Sequence, residues 1–285
     1  MTDLRLAHVS DLHFGRIQEG LVPALQRALR EAEPDLVVVS GDLTQRARRR
    51  EFAAARHFLE HLPCDWLAVP GNHDIPAYNV AARFLHPFRR YRRYVDRDLM
   101  PVWRRGGAVV VGINSARRHS WSLNWADGRV SVRQMEAATR FLEAEEDATH
   151  RIVVAHHPFL KLADDGDRHK LVGRHGMATK ALRRAGVDLI LAGHLHRSYH
   201  GRLDLDEEGK RLFVVQAGTA TSTRRRGQAN AFHLLDLRPG EIAVEAREWC
   251  GGGFHPVDSM RLAQGNDGQW RVVEGEEPEP LGDPL

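Results

Sequence analysis

Leu4-Arg5-Leu6-Ala7-His8-Val9 is a short apolar run that opens directly into Ser10-Asp11-Leu12-His13. Runs of this kind, rich in Val, Ile and Leu and bounded by Gly, Pro, Asn or Asp, read as buried strands. The same reading covers Asp35 to Val39, Trp66 to Val69, Ala108 to Ile113, Arg151 to Ala155, Val187 to Ala192 and Leu212 to Val215. Amphipathic stretches at about residues 18–33, 46–61, 131–146 and 177–185 lie between them. In the second, Phe52, Ala55, Phe58 and Leu59 recur at helical spacing as a core-facing stripe. Strand and helix in alternation predict an α/β fold.

What distinguishes the strands is how they end. The first runs into Asp11-Leu12-His13, the second into Gly41-Asp42, and the third into Gly71-Asn72-His73-Asp74. The strand at 151–155 ends in His156-His157-Pro158, and that at 187–192 in Gly193-His194-Leu195-His196. Ligands collect at the carboxyl ends of strands in open α/β sheets. Carboxylate, carboxamide and imidazole donors without thiolates suit Mn, Fe, Zn or Co, and disfavour Fe–S clusters and structural zinc. Seven donors exceed what one tetrahedral ion needs. They suit two ions about 3.5–4 Å apart, sharing a carboxylate and a bridging hydroxide, an arrangement that does phosphoryl chemistry.

Taken in order, Asp11-x-His13, Gly41-Asp42, Gly71-Asn72-His73-Asp74, His156 and Gly193-His194-x-His196 resemble the five motifs of the calcineurin-like metallophosphoesterases, over residues 7–196. The resemblance implies a four-layer α/β/β/α sandwich with a dinuclear metal site at the carboxyl ends of the strands. It implies that Asp11, His13, Asp42 and His196 hold one metal and that Asp42, Asn72, His156 and His194 hold the other, with Asp42 as the bridge. The cofactor is then two divalent ions, or Fe(III) beside a divalent one. Pro70 before Gly71, and Gly41-Asp42-Leu43-Thr44-Gln45-Arg46, depart from the protein serine/threonine phosphatases. The Gly-Asp-Leu-Thr run, Glu51-Phe52, Val69 to Asp74, Asn114-Ser115 and Asp127-Gly128 are similar to the bacterial class III cyclic-nucleotide phosphodiesterases. The function expected is in-line attack of a metal-bridging hydroxide on a small phosphodiester, a 3′,5′-cyclic nucleotide first among them. Asn72 and His73 would meet the phosphate, His73 would protonate the leaving oxygen, and Asp74 would orient the His73 ring. The alternatives are a UDP-diacylglucosamine-type pyrophosphatase, a nuclease, and a binding module that has lost catalysis. No ligand position is replaced, which disfavours the last.

Composition bounds the rest. The 285 residues are 42% hydrophobic and 28% charged, as in a globular protein, and no stretch approaches a membrane span. Cys64 and Cys250 form no disulfide framework or thiolate site, which fits a reducing cytoplasm. Residues 261–285 carry two arginines against six acidic residues, net −4, whereas the whole chain is +3. The reading is one catalytic domain over 1–260, with an insertion near 76–105. An acidic tail follows over 261–285, disordered from about 274. Arginine clusters at 48–50, 89–93, 117–118, 183–184 and 224–226 fit an anionic small-molecule substrate better than nucleic acid, and homo-oligomerisation is left open. Arg224 to Arg226 could clamp a phosphate, Trp121 and Trp125 could stack on a base, and His169 or His175 could touch substrate. His157 reads as structural, and His57 with His61 as a solvated helix face.

Overall fold

Alternation along β1 (Leu4–Val9) sorts its side chains onto two faces. Leu4 and Leu6 join one apolar core, while Ala7 and Val9 join another. The computed structural model describes residues 3–118, 126–159, 170–203, 211–224 and 227–275. Trp121, Trp125, His169, Arg225, Arg226 and everything from 276 onward lie outside them.

β1 pairs in parallel with β2 (Leu36–Val39), and β2 with β3 (Asp65–Ala68). On its other edge β1 meets the antiparallel β10 (Ala231–Arg238), which continues through β11 (Glu241–Trp249), β12 (Phe254–Gln264) and β13 (Trp270–Glu274). These seven strands form one sheet. The second sheet has six, in the order β4 (Val102–Arg105), β5 (Ala108–Ile113), β6 (His150–Ala155), β7 (Leu189–Ala192), β9 (Leu212–Gln216) and β8 (Tyr199–Leu203). β5, β6, β7 and β9 run parallel.

Three apolar clusters fix the layers. Leu6, Val38 and Leu235 of the first sheet meet Val110, Val154, Leu191 and Val215 of the second, so the sheets face each other. Ala7, Val9 and Val37 pack outward on α1 (Leu21–Ala32) and α2 (Arg49–Glu60). Val109, Val153 and Ile190 pack outward on α5 (Val132–Ala144) and α6 (His175–Arg184). The order is α/β/β/α, as the sequence resemblance implies. The segment near 76–105 supplies α3 (Val80–Leu85), α4 (Arg89–Tyr94) and the edge strand β4. It is tied down by Tyr91, which is fully buried and donates its hydroxyl to the Ala68 carbonyl at 2.8 Å. No helix is long and apolar enough to cross a membrane among the described residues.

The expected boundary at 260 falls inside a strand. β12 runs straight through that position and β13 closes the sheet beyond it. The acidic composition conceals sparse anchors: Met260, Leu262 and Trp270 enter the core between the sheets. Trp270 is 3% exposed, and its indole N–H donates to Asp188 Oδ1 at 2.7 Å. Burial pushes the Asp188 carboxyl up to about 6, although the Arg151 amide and the indole both donate to it.

Trp270→Ala should therefore destabilise the fold by about 3–5 kcal/mol, the usual cost of deleting a buried large aromatic. Trp270→Phe, which keeps one aromatic ring but leaves Asp188 Oδ1 without its donor, should cost less, about 1–3 kcal/mol. Urea unfolding checks both, and an unchanged midpoint for the alanine variant would show that β13 is only a surface appendage.

Candidate metal centre

The parallel strands end together, and their loops stay paired beyond the strands. Asp11 N–H donates to the Gly41 carbonyl at 3.2 Å, His13 N–H to Asp42 at 2.9 Å and Phe14 N–H to Leu43 at 2.8 Å. This places Asp11 and His13 after β1 beside Asp42 after β2. Asn72 and His73 arrive in a single 3₁₀ turn after β3 (72–74), His156 directly after β6, and His194 and His196 after β7.

Side-chain distances sort these residues into two sets. Asp11 Oδ1 lies 3.4 Å from His13 Nε2 and 3.6 Å from His196 Nε2, and His13 Nε2 lies 3.7 Å from Asp42 Oδ2. On the other side His156 Nε2 lies 3.4 Å from the same Asp42 Oδ2. Asn72 Oδ1 sits 3.2 Å from His156 Nε2 and 3.1 Å from His194 Nδ1. Asp42 Oδ2 is common to both sets, and Asp42 Oδ1 accepts the His73 backbone N–H at 2.8 Å. All seven residues singled out in the sequence are brought together.

The set fits cations on independent grounds. Asp11 Oδ1, both ring nitrogens of His13, and His196 Nδ1 are buried without a hydrogen-bond partner among the described residues. Such orphans are rare in a folded interior and call for an ion or water. The other nitrogen of His156 is engaged: Nδ1 lies 2.8 Å from the Ser40 carbonyl, so it carries the hydrogen and leaves Nε2 free to ligate. Asp11 Oδ2 accepts from the Ser10 hydroxyl at 2.6 Å and from the His194 N–H at 2.9 Å, which leaves Oδ1 for the cluster.

The charges answer one another. Burial alone would raise both carboxyls, yet the imidazoles of His196, His13 and His156 hold Asp11 well below the usual carboxylate range. His156, His73 and His13 do the same to Asp42. Burial acts to lower His156, but Asp42 outweighs it and lifts the ring to about 9. Burial, with the neighbouring His156, lowers His194 to about 3, and burial lowers His196 to about 4. Ionised carboxylates and neutral imidazoles are the forms that ligate metal, which His194 and His196 already present; a cation beside Asp42 would take the place of the extra proton that Asp42 holds on His156.

The backbone carries matching strain. Among the described residues eight non-glycine residues have positive φ, and five are Asp11, His13, Asp42, His194 and His196, with φ from 49° to 80°. Such conformations persist where the surroundings over-determine them, which is typical of functional sites. Two glycines make the approach: a Cβ on Gly71 would collide with the Asp42 carboxylate, and one on Gly41 with the His156 ring.

Asp74 does not reach the His73 ring as the sequence suggests. Its Oδ1 accepts from the Thr44 N–H and hydroxyl at 2.9 Å each, and its Oδ2 from Gly71 N–H at 2.9 Å and Leu43 N–H at 3.2 Å. It ties the loop after β2 to the loop after β3. Burial, with the Asp42 charge behind it, pushes this carboxyl up to about 6. At Nδ1 the His73 ring meets the Gln45 carbonyl instead, at 2.8 Å. His157 spends both nitrogens, Nδ1 2.8 Å from Ser115 Oγ and Nε2 2.9 Å from the Ala126 carbonyl. Sequence reading missed Ser40, Gln45 and Thr44, whose roles are contacts between distant segments that no local pattern marks.

Residues 4–198 match the sequence profile described as calcineurin-like phosphoesterase. A probable cyclic nucleotide phosphodiesterase from Synechococcus sp. is 23% identical over 255 residues, covering 83% of this chain and 88% of that protein. A 3′,5′-cyclic adenosine monophosphate phosphodiesterase from Vibrio vulnificus is 24% identical over 279 residues, covering 89% and 93%. A dimetal phosphatase from Danio rerio superposes with a TM-score of 0.63 at 15% identity, over 89% of this chain and 98% of that one.

Metal analysis after reconstitution tests the shared carboxylate. Wild type should retain two ions per chain, and Asp42→Ala should lose both because each set is missing the same donor. Gly71→Ala should also lose metal with every donor side chain intact, since its Cβ displaces Asp42. His73→Ala should keep two. Two retained ions in Asp42→Ala would show that the sets do not share it.

Proposed function

The chain belongs to the calcineurin-like phosphoesterase family and is a metal-dependent phosphoester hydrolase, and from that premise we propose that it hydrolyses a small phosphodiester, with a 3′,5′-cyclic nucleotide as the favoured substrate. The observation that carries the site assignment is Asp42 Oδ2 standing between two donor sets, 3.7 Å from His13 on one side and 3.4 Å from His156 on the other. In this reading Asp11, His13, Asp42 and His196 hold one ion, and Asp42, Asn72, His156 and His194 the other. The donors suit Mn, Fe, Zn or Co. Ions bound there supply Lewis acidity towards the phosphoryl oxygens and a nucleophile at neutral pH.

The protein's own groups do the remaining work. Asp74 holds the two loops that present Asp42 and Asn72, so it maintains the spacing of the donors rather than meeting substrate. His73 is anchored at its backbone on Asp42 and at Nδ1 on Gln45, leaving Nε2 directed away from both. It serves turnover and not metal retention. The cyclic-nucleotide preference is supported by the names of the Synechococcus and Vibrio relatives, which align along most of both chains. Thr44, in the Gly-Asp-Leu-Thr run, also receives a specific duty: its hydroxyl donates to Asp74.

A dianionic monoester would compete with the nucleophile for the metal centre more strongly than a monoanionic diester does, so a monoester should be the poorer substrate. With the metal-loaded protein, kcat/KM for bis-p-nitrophenyl phosphate should exceed that for p-nitrophenyl phosphate by at least about tenfold, and 3′,5′-cyclic AMP should yield AMP. Equal or faster cleavage of the monoester would rule out the diesterase reading. Cleavage of a UDP-linked lipid with cyclic nucleotides untouched would replace the substrate.

A further inference from the structure

The loop after β9 performs two tasks with one stretch of backbone. Thr219 and Thr221 donate their hydroxyls to the Asp11 and Leu12 carbonyls, at 2.7 Å each. The chain then lies along the segment that follows His13. Gln18 N–H donates to the Thr221 carbonyl at 2.8 Å, and Thr223 N–H donates to the Arg16 carbonyl at 3.2 Å. Ser222 Oγ donates to that same carbonyl at 3.0 Å, and the buried Asn230 donates to the Ser222 carbonyl at 2.8 Å. Arg224 comes next. Its backbone N–H rests on Ser222 Oγ at 3.1 Å, and its Nη1 lies 2.6 Å from His73 Nε2. The loop that supports the Asp11 backbone therefore also delivers a guanidinium to the edge of the metal centre. Among the described residues no carboxylate pairs with it.

Hydrogen-bond direction decides which partner donates. His73 Nδ1 lies 2.8 Å from the Gln45 carbonyl oxygen, which only accepts, so Nδ1 carries the hydrogen. The Gln45 amide nitrogen, at 3.5 Å, is too distant to compete. A guanidinium only donates, so His73 Nε2 presents its lone pair to Arg224. The nitrogen expected to protonate the leaving oxygen is thus an acceptor in this arrangement. The guanidinium has five N–H groups in a planar fork, and one on His73 leaves the others for an anion.

We propose that Arg224 is a catalytic residue that binds the anionic oxygens of the substrate phosphate, and that His73 is the positioning residue that aims it. This rests on the phosphodiesterase reading above for its substrate, and on the His73–Arg224 geometry for its residues. It assigns the donor role at the phosphate to a side chain outside the strand-end motifs.

The test is a double-mutant cycle on metal-loaded protein with bis-p-nitrophenyl phosphate, comparing Arg224→Ala, Arg224→Lys, His73→Ala and the Arg224→Ala/His73→Ala double variant. Bound metal and melting temperature confirm that each is intact. Arg224→Ala should lose about 100-fold in kcat/KM, the size of a transition-state donor. Arg224→Lys, which keeps the charge but not the fork, should recover less than about tenfold of that. Added guanidinium should restore part of the Arg224→Ala rate. The double variant should fall no further than Arg224→Ala, because His73 works through the guanidinium. A loss under about threefold in Arg224→Ala, or single losses that multiply in the double, overturns the proposal. Calorimetric titration of inorganic phosphate separates it from the substrate assignment. Arg224→Ala should bind phosphate at least about tenfold more weakly than wild type even if wild type cleaves no diester, and equal binding overturns the role of Arg224.

Discussion

The structure depends on keeping Asp42 ionised in a place where water cannot solvate it. A buried carboxylate is tolerated only when it is paired and hydrogen-bonded. Asp42 is 1% exposed, with His13 on one side, His156 on the other and the His73 amide on Oδ1. Each partner comes from a different strand end. The carboxylate therefore acts as the point on which both sheets converge, and its charge favours cations on either side of it.

That convergence carries a conformational cost, visible in the backbone. Candidate ligands occupy left-handed conformations that residues other than glycine rarely adopt. They are held there by hydrogen bonds from outside the cluster: Thr219 and Thr221 on the loop after β1, Asp74 on the loops after β2 and β3, Ser10 on Asp11. Stability generated by packing in the three cores is thus used to pre-organise the donors. The arrangement also explains why glycines precede Asp42, Asn72 and His194. At Gly71 and Gly193 any Cβ would strike the Asp42 carboxylate or the Ser10 hydroxyl.

The donor set was legible because each member sits within a few residues of a strand end, so local apolar runs locate it. Helix positions were legible for the same reason; α2 was expected at about 46–61 and spans Arg49–Glu60. The strands β12 and β13 were not. Along β12 only Phe254, Met260 and Leu262 are buried, too sparse a pattern to show period-two alternation against an acidic background. Asp74 was misread because adjacency to His73 suggests contact. The 3₁₀ turn over 72–74 instead sends its carboxylate back to Thr44. Gln45 and Ser40 act across separations of 28 and 116 residues, and such contacts leave no trace in spacing; Arg224 was legible as a candidate phosphate clamp, but its contact with His73, 151 residues away, was not.

The most direct measurement is anomalous diffraction at the manganese edge from crystals of the protein grown with Mn(II). The account predicts two peaks about 3.5–4 Å apart, one contacting Asp11, His13 and His196, the other Asn72, His156 and His194, with Asp42 touching both. A single peak, or two peaks of which only one contacts Asp42, would contradict it.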